Sequence, residues 1–201
     1  MYSLLPSFVL GFHGCERSVA ENILSGSSTH LRSSQNEYDW LGHGIYFWEN
    51  SPARALEYAR QRILRTGRAG VRKETAVIGA VIDLGYCLNL LDAKYTRVVR
   101  EGYEALQDWL RQINKPMPEN RLPADSGEHL LRNLDCDVIN MVHLAREQRS
   151  LPRFDSVRGA FIEGKPIYDG GGFFEKTHIQ ICVRNTVKIK GYFRPIPDVG
   201  R

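Results

Sequence analysis

Three groups of residues in this 201-residue chain have types and spacing suited to chemistry. His13-Gly14 closes the short apolar run that begins at Phe8, so a histidine and a glycine stand together where a strand ends. Gly42-His43-Gly44-Ile45-Tyr46-Phe47 reads as a tight turn feeding a second strand, with His43 as a turn residue. Gln180 interrupts a late strand, His178 to Val183, and Glu175 lies on the approach to it. A histidine at a strand end can reach a sugar hydroxyl. The glycine beside it, having no Cβ, lets backbone N–H and C=O come close to a flat amide ring. An aromatic face at Tyr46, joined by Tyr58, would sandwich such a ring and keep water from the carbon that bears it.

Other chemistries find no foothold. None of the six histidines pairs with another at ligand spacing. His129 and His143 stand 14 apart with Cys136 midway, and no second ligand lies within one turn of either, so no metal is expected. A G-x-S-x-G elbow and a P-loop are both missing.

In order and spacing the first two groups resemble the ADP-ribosyltransferases, in particular the diphtheria-toxin and poly(ADP-ribose)-polymerase branch, whose signature is a His, a Tyr and usually a Glu on three separated strands. The family's H-G-x followed at ten residues by I-L is matched by His13-Gly14-Cys15 and Ile23-Leu24. Its G-x-G-I-Y-F, followed by Asn-Ser and an Ala-rich helix, is matched by Gly42 to Phe47, then Asn50-Ser51, Ala53, Ala55 and Tyr58. The resemblance covers roughly residues 8–84 and 156–194. It implies an α+β fold with a split, strongly bent mixed sheet, and NAD+ as co-substrate without a metal. NAD+ would be held by His13, Gly14, Gly44, Tyr46, Phe47, Ser51 and Tyr58, with His13 and Tyr46 also serving catalysis.

The third position departs from the family pattern, in which a glutamate opens a strand of the form E-x-I-V-x. Matching Gln180-Ile181-Cys182-Val183 to that strand puts Gln180 at the glutamate position; matching by residue type puts Glu175 there, with Glu163 a more distant choice. Such a glutamate bonds the ribose 2′-hydroxyl and stabilises the positive charge that grows on the sugar as the base leaves. A neutral glutamine does only the first. The implied activity is therefore mono-ADP-ribosyl transfer to a macromolecular acceptor, protein or single-stranded nucleic acid, rather than chain extension. Compact relatives are often toxins or phage-defence effectors, which would bring a cognate antitoxin as partner. Two rivals remain: a module that binds ADP-ribose, NAD+ or nucleic acid without turnover, and a plain NAD+ glycohydrolase.

The elements that must position these residues can be traced along the chain. Phe8 to Gly14 is a buried strand. Ser18 to Leu24 opens a helix, with Ser18 as N-cap and Glu21 completing a capping box. Ser25 to Asn36 is a polar loop, and Ser51-Pro52 starts a helix through Tyr58 to about Leu64. Val77 to Leu84, β-branched and continuously apolar, reads as a central strand covered on both faces. Apolar residues from Tyr95 to Ile113 recur at three- and four-residue steps, which makes Asp92 to Ile113 an amphipathic helix, and Asp125 to Gln148 gives more helix. Residues 92–150 are thus a helical insertion in a single domain, 1–201. Strands return at Val157 to Ile162, His178 to Val183 and Val187 to Phe193, the last two joined as a hairpin by Arg184-Asn185-Thr186. Gly170-Gly171-Gly172 loosens the approach to that hairpin.

Composition agrees with a folded domain: 42% hydrophobic, 25% charged and 10% aromatic residues exclude a disordered tail or a coiled coil. No apolar stretch approaches the ~20 residues of a bilayer span, so no membrane partner is expected. Met1 to Leu10 lacks the basic and small-residue features of a signal peptide. The four cysteines are far apart with no C-x-x-C pair, which fits a reducing, cytoplasmic setting. The +4 net charge is concentrated in residues 60–73 and 184–201, which would flank the cleft as an electrostatic track for an anionic acceptor, with Trp40 and Trp48 available to stack a base.

Overall fold

The β-branched runs that alternate or stay apolar become strands, and the three-to-four periodic segments become helices. The computed structural model describes residues 8–66, 74–121 and 131–196. In chain order the elements are β1 (Val9–Glu16), α1 (Arg17–Leu24), β2 (Ile45–Glu49), α2 (Pro52–Thr66), β3 (Thr75–Ile82), β4 (Cys87–Asn89), α3 (Thr96–Gln112), β5 (Asn120–Arg121), β6 (Leu131–Arg132), α4 (Asn133–Gln148), β7 (Ser156–Phe161), β8 (His178–Val183) and β9 (Ile189–Phe193). Seven strands form one open sheet in the order β4-β7-β8-β2-β1-β3-β9, while β5 and β6 make a separate two-stranded ribbon. Only β4 and β7 run parallel; every other neighbouring pair is antiparallel.

Pairing within the sheet is uneven, and this prepares the site. β1 pairs with β3 along its whole length, Val9↔Ile82 to Glu16↔Thr75, but meets β2 only at Gly11↔Glu49 and Phe12↔Trp48. β2 is held instead by β8, from Ile45↔Val183 to Trp48↔Gln180. The sheet therefore parts between β1 and β2 just beyond Phe12.

Each face of the sheet carries its own core. On one, Ile45, Phe47, Ile78, Ala80, Ile82, Ile181 and Val183 are buried beneath Ala20 and Ile23 of α1. On the other, Leu88, Val157 and Cys182 pack against Leu41 and against Ile139 and Val142 of α4, while α2 covers Phe12 and Trp48 with Ala55 and Tyr58. α3 meets this core through the partly buried Val98 and Val99; further along, Leu106 and Leu110 bury against Val138 and Met141 of α4, and Gly102 allows the close approach, since a Cβ there would lie 2.4 Å from Val142 Cγ2. The segment 92–150 thus contains α3, the β5–β6 ribbon and α4, and α4 is part of the main core. Residues 125–130 of the expected second helix lie outside the described residues.

Several local expectations are corrected. The N-cap position of α1 is Glu16, two residues before Ser18, with no side-chain capping bond, so the Ser18–Glu21 box does not form. The Arg17 N–H is taken by Glu74 O at 2.8 Å, a tertiary contact that sets the start of the helix. β3 is not central but next to the edge, sandwiched by α1 and α2, which explains its two apolar faces. β8 and β9 do not form a hairpin. β8 is paired on both sides, by β2 and β7, so β9 crosses to the free edge of β3. β1 also continues past His13-Gly14 to Glu16, so these residues end the pairing with β2, not the strand itself.

Candidate functional site

Hydrogen-bond alternation along β1 determines what faces the gap. The Asn50 N–H donates to Leu10 O at 2.9 Å, so the peptide groups of Leu10, Phe12 and Gly14 all point toward β2. Continued register would place Gly14 opposite Tyr46, but the ladder has stopped by then. The Tyr46 carbonyl is satisfied instead by His13, whose Nδ1 lies 2.7 Å away. A carbonyl only accepts, so Nδ1 carries the hydrogen; burial lowers the His13 pKa, with Arg62 adding to the effect. The neutral ring therefore presents Nε2 as an acceptor, able to receive a hydrogen bond from a hydroxyl.

The glycines of the two motifs serve packing. A Cβ on Gly14 would lie 1.9 Å from Ala55 O, so the space that its missing side chain leaves belongs to α2, and a ligand can meet Gly14 only through its peptide edge. A Cβ on Gly44 would lie 2.5 Å from Cys182 Sγ and 2.7 Å from Val183 O, which makes Gly44 a requirement of β8. Phe47 is fully buried and offers a ligand no side-chain surface. Ser51 precedes α2, its carbonyl accepting from the Ala55 N–H at 3.2 Å.

Tyr46 is half-buried, and its hydroxyl is already engaged: it donates to Gly42 O at 2.8 Å and accepts from the Leu41 N–H at 2.9 Å. Burial raises its pKa well above the ordinary value. It packs with Trp40 and Cys182, whereas Tyr58 lies against Trp48 with centroids 4.9 Å apart and the rings tilted by 45°, so the two tyrosines belong to separate clusters. The expected sandwich by both is not formed.

Gln180 lies opposite Trp48 on one side and Gly159 on the other. Because Gly159 has no side chain, the Trp40 indole lies over it, and Trp40 Nε1–H donates to Gln180 Oε1 at 2.6 Å. Phe161 (5.2 Å from Trp40) and His178 (5.3 Å from Phe161) continue the aromatic surface, and the Arg132 guanidinium sits 4.5 Å over the Phe161 ring. His178 uses Nδ1 on Lys176 O at 2.6 Å, and burial lowers its pKa. Its Nε2, together with Trp48 Nε1 and Arg54 Nε, is buried with no hydrogen-bond partner among the described residues.

Carboxylates take other positions. Glu175 is exposed and its Oε2 accepts from the Lys165 N–H at 3.2 Å within its own loop, so it is not brought to Gln180. Glu163 is paired with Arg54 at 2.8 Å under α2, and Arg54 also binds Glu57. By strand alternation Tyr46, Trp48 and Gln180 share the α2 and α4 face, whereas His13 points to the face of Phe47, 6.0 Å away between ring centroids. His13 reaches the gap through the plane of the sheet.

One partly buried ion pair escaped the sequence reading: Arg158 binds Glu49 through both carboxylate oxygens at 2.5 and 2.8 Å, joining β7 to β2 across β8. The signal for it was a lone arginine at an inward position of the apolar strand Ser156–Phe161. Of the basic segments, residues 67–73 and 197–201 lie outside the described residues. Among the described residues no helix is long and apolar enough to cross a membrane. No protein-family model, curated protein or solved structure matches the chain.

Proposed function

We propose that the chain is an ADP-ribosyltransferase that holds NAD+ where β1 parts from β2 and passes ADP-ribose to a macromolecular acceptor. The observation that carries the reading is the peptide edge of Gly14, beside His13 and Tyr46 and beyond the last β1–β2 pair among the described residues: one N–H and one C=O side by side match the acceptor and donor of a carboxamide. His13 Nε2 accepts a hydrogen bond from a ribose hydroxyl. Gln180, oriented by Trp40, bonds a second sugar hydroxyl from the other side. The C1′–N bond breaks with its electron pair going to nicotinamide, and the acceptor's nucleophile attacks C1′ and gives up its proton to solvent water. With an amide at the third position, charge on the sugar is met by dipoles alone, which suits single transfer.

That same amide supports a second reading, a module that binds NAD+ or ADP-ribose without turnover. Chromatographic release of nicotinamide from NAD+, with and without cell extract, together with calorimetric NAD+ binding, separates the two. Extract-dependent release supports transfer, release at one rate in both arms indicates a glycohydrolase, and binding without release indicates the module. Neither release nor binding removes NAD+ from the account.

A further inference from the structure

The first turn of α2 stands between the two walls of the gap. Ala55 faces one of them: its carbonyl oxygen lies 1.9 Å from where a Cβ on Gly14 would be, so this turn and the Gly14 peptide edge must move together. Its neighbour Arg54 faces the other. The Arg54 guanidinium donates from Nη2 to Glu163 Oε2 at 2.8 Å, on the chain leaving β7, and from Nη1 to Glu57 one turn along α2. Lys176, on the chain entering β8, has its Nζ 3.7 Å from Glu57, and its N–H donates to Glu163 O at 3.0 Å. α2 is thereby fastened to both chain segments at the base of β7 and β8, and Gln180 follows Lys176 by four residues.

The sheet itself ties the two walls together only lightly. β1 and β2 share two residue pairs, with the Asn50 N–H on Leu10 O and His13 on Tyr46 O at either side. For stability alone, the ion pair is a poor device. The Arg54 and Glu163 side chains are 14% and 12% exposed, so both charges are largely desolvated, and Arg54 Nε is buried with no hydrogen-bond partner among the described residues. Apolar side chains of similar volume in place of such a pair are often neutral or stabilising. What the pair adds is direction, because a planar guanidinium held between two carboxylates has one placement, whereas an apolar contact has many.

We propose that Arg54 and Glu163 are positioning residues: their ion pair fixes the first turn of α2, and with it Gly14 and His13 on β1, at the distance from Gln180 that NAD+ requires, an inference that rests on the function proposed above. Neither side chain touches the nucleotide. Glu163, a remote candidate for the charge-bearing position by sequence, acts through Arg54 on the geometry of the gap.

The test compares Arg54→Met, Glu163→Leu, the variant carrying both, and Glu163→Gln with the unsubstituted chain, by thermal melting, nicotinamide release and amide hydrogen exchange. Each of the first two strips a desolvated charge of a partner and should lower Tm; the double variant should regain most of that loss. Its KM for NAD+ should nevertheless stay raised roughly tenfold or more, while Glu163→Gln, which keeps an oxygen for Arg54, should hold KM within about threefold. Exchange of the Asn50 N–H, which bridges β2 to β1, should run roughly tenfold faster in the double variant, whereas the His13 N–H, directed at β3, should change by less than about threefold. A double variant that regains both Tm and KM, or one in which Asn50 exchange only keeps pace with His13, overturns the proposal. So does a Glu163→Gln protein whose kcat collapses at unchanged KM, since Glu163 would then be catalytic. If the unsubstituted chain neither binds nor cleaves NAD+, the proposed function falls, and the two exchange rates alone decide whether the ion pair holds the gap.

Discussion

Gln180→Ala tests the third position of the site most directly. Among the described residues the Gln180 amide is held by the Trp40 indole N–H at 2.6 Å, across a face left open by Gly159. Removing the amide leaves that half-buried N–H without an acceptor, which costs ~1 kcal/mol of stability and lowers Tm by about 2–4 °C in a domain of this size. If the amide also bonds a sugar hydroxyl as charge develops, its loss costs a further ~2–4 kcal/mol in the transition state, roughly 30- to 1000-fold in nicotinamide release. Trp40→Phe keeps the ring over Gly159 and against Phe161 but deletes the donor, so the amide survives without its orientation. Release should then fall ~5- to 30-fold, and the double variant should be no worse than Gln180→Ala alone. Gln180→Glu restores a carboxylate near the cation and should raise hydrolysis in the absence of acceptor. The assay is chromatographic nicotinamide release at saturating NAD+, beside thermal melts of each variant. A Gln180→Ala protein that melts a few degrees low yet releases nicotinamide within twofold of the unsubstituted chain would refute the reasoning.

Tyr46→Phe removes the hydroxyl that both donates to Gly42 O and accepts from the Leu41 N–H, so it should cost ~1–3 kcal/mol; an unchanged Tm would mean that neither bond matters. Glu175→Gln alters an exposed carboxylate bonded within its own loop and should change neither Tm nor nicotinamide release by a measurable amount, whereas abolished transfer would give Glu175 the charge-bearing role that the neutral Gln180 cannot take. Stability should fall below about pH 6.5, because burial lowers the pKa of His13, His143 and His178 in the folded chain and the unfolded chain then binds more protons. For His143 the loss continues down to about pH 3, and His143→Gln should flatten the dependence by up to ~1.4 kcal/mol per pH unit; urea midpoints at pH 7 and pH 5 that coincide would contradict this.

What could be read in the sequence was local. The strand at His178–Val183 and the helix after Pro52 were legible because side-chain period and a proline at the first helical position are carried by adjacent residues. The start of α1 was not, since the Arg17 N–H finds its acceptor in Glu74, and nothing near Ser18 encodes that. The turn at Arg184–Thr186 announces a reversal of the chain but not a partner. β9 goes to β3 because β2 and β7 already occupy both edges of β8, which is a property of the assembled sheet.

The same distinction applies within the site. His13, Gly14 and Tyr46 were named by a short motif, and the structure brings the histidine to the tyrosine's carbonyl. The Trp40–Gln180 bond spans 140 residues and depends on a third residue, Gly159, having no side chain. Each glycine takes its meaning from what fills the place of its Cβ: Ala55 O at Gly14, Cys182 Sγ at Gly44, the Trp40 indole at Gly159. Only the last of these positions a polar group that could meet a substrate. A glutamine held by an indole N–H needs no charged neighbour to fix it, so the chain can orient an amide here without burying a carboxylate beside His178, whose neutral ring offers that carboxylate no counter-charge.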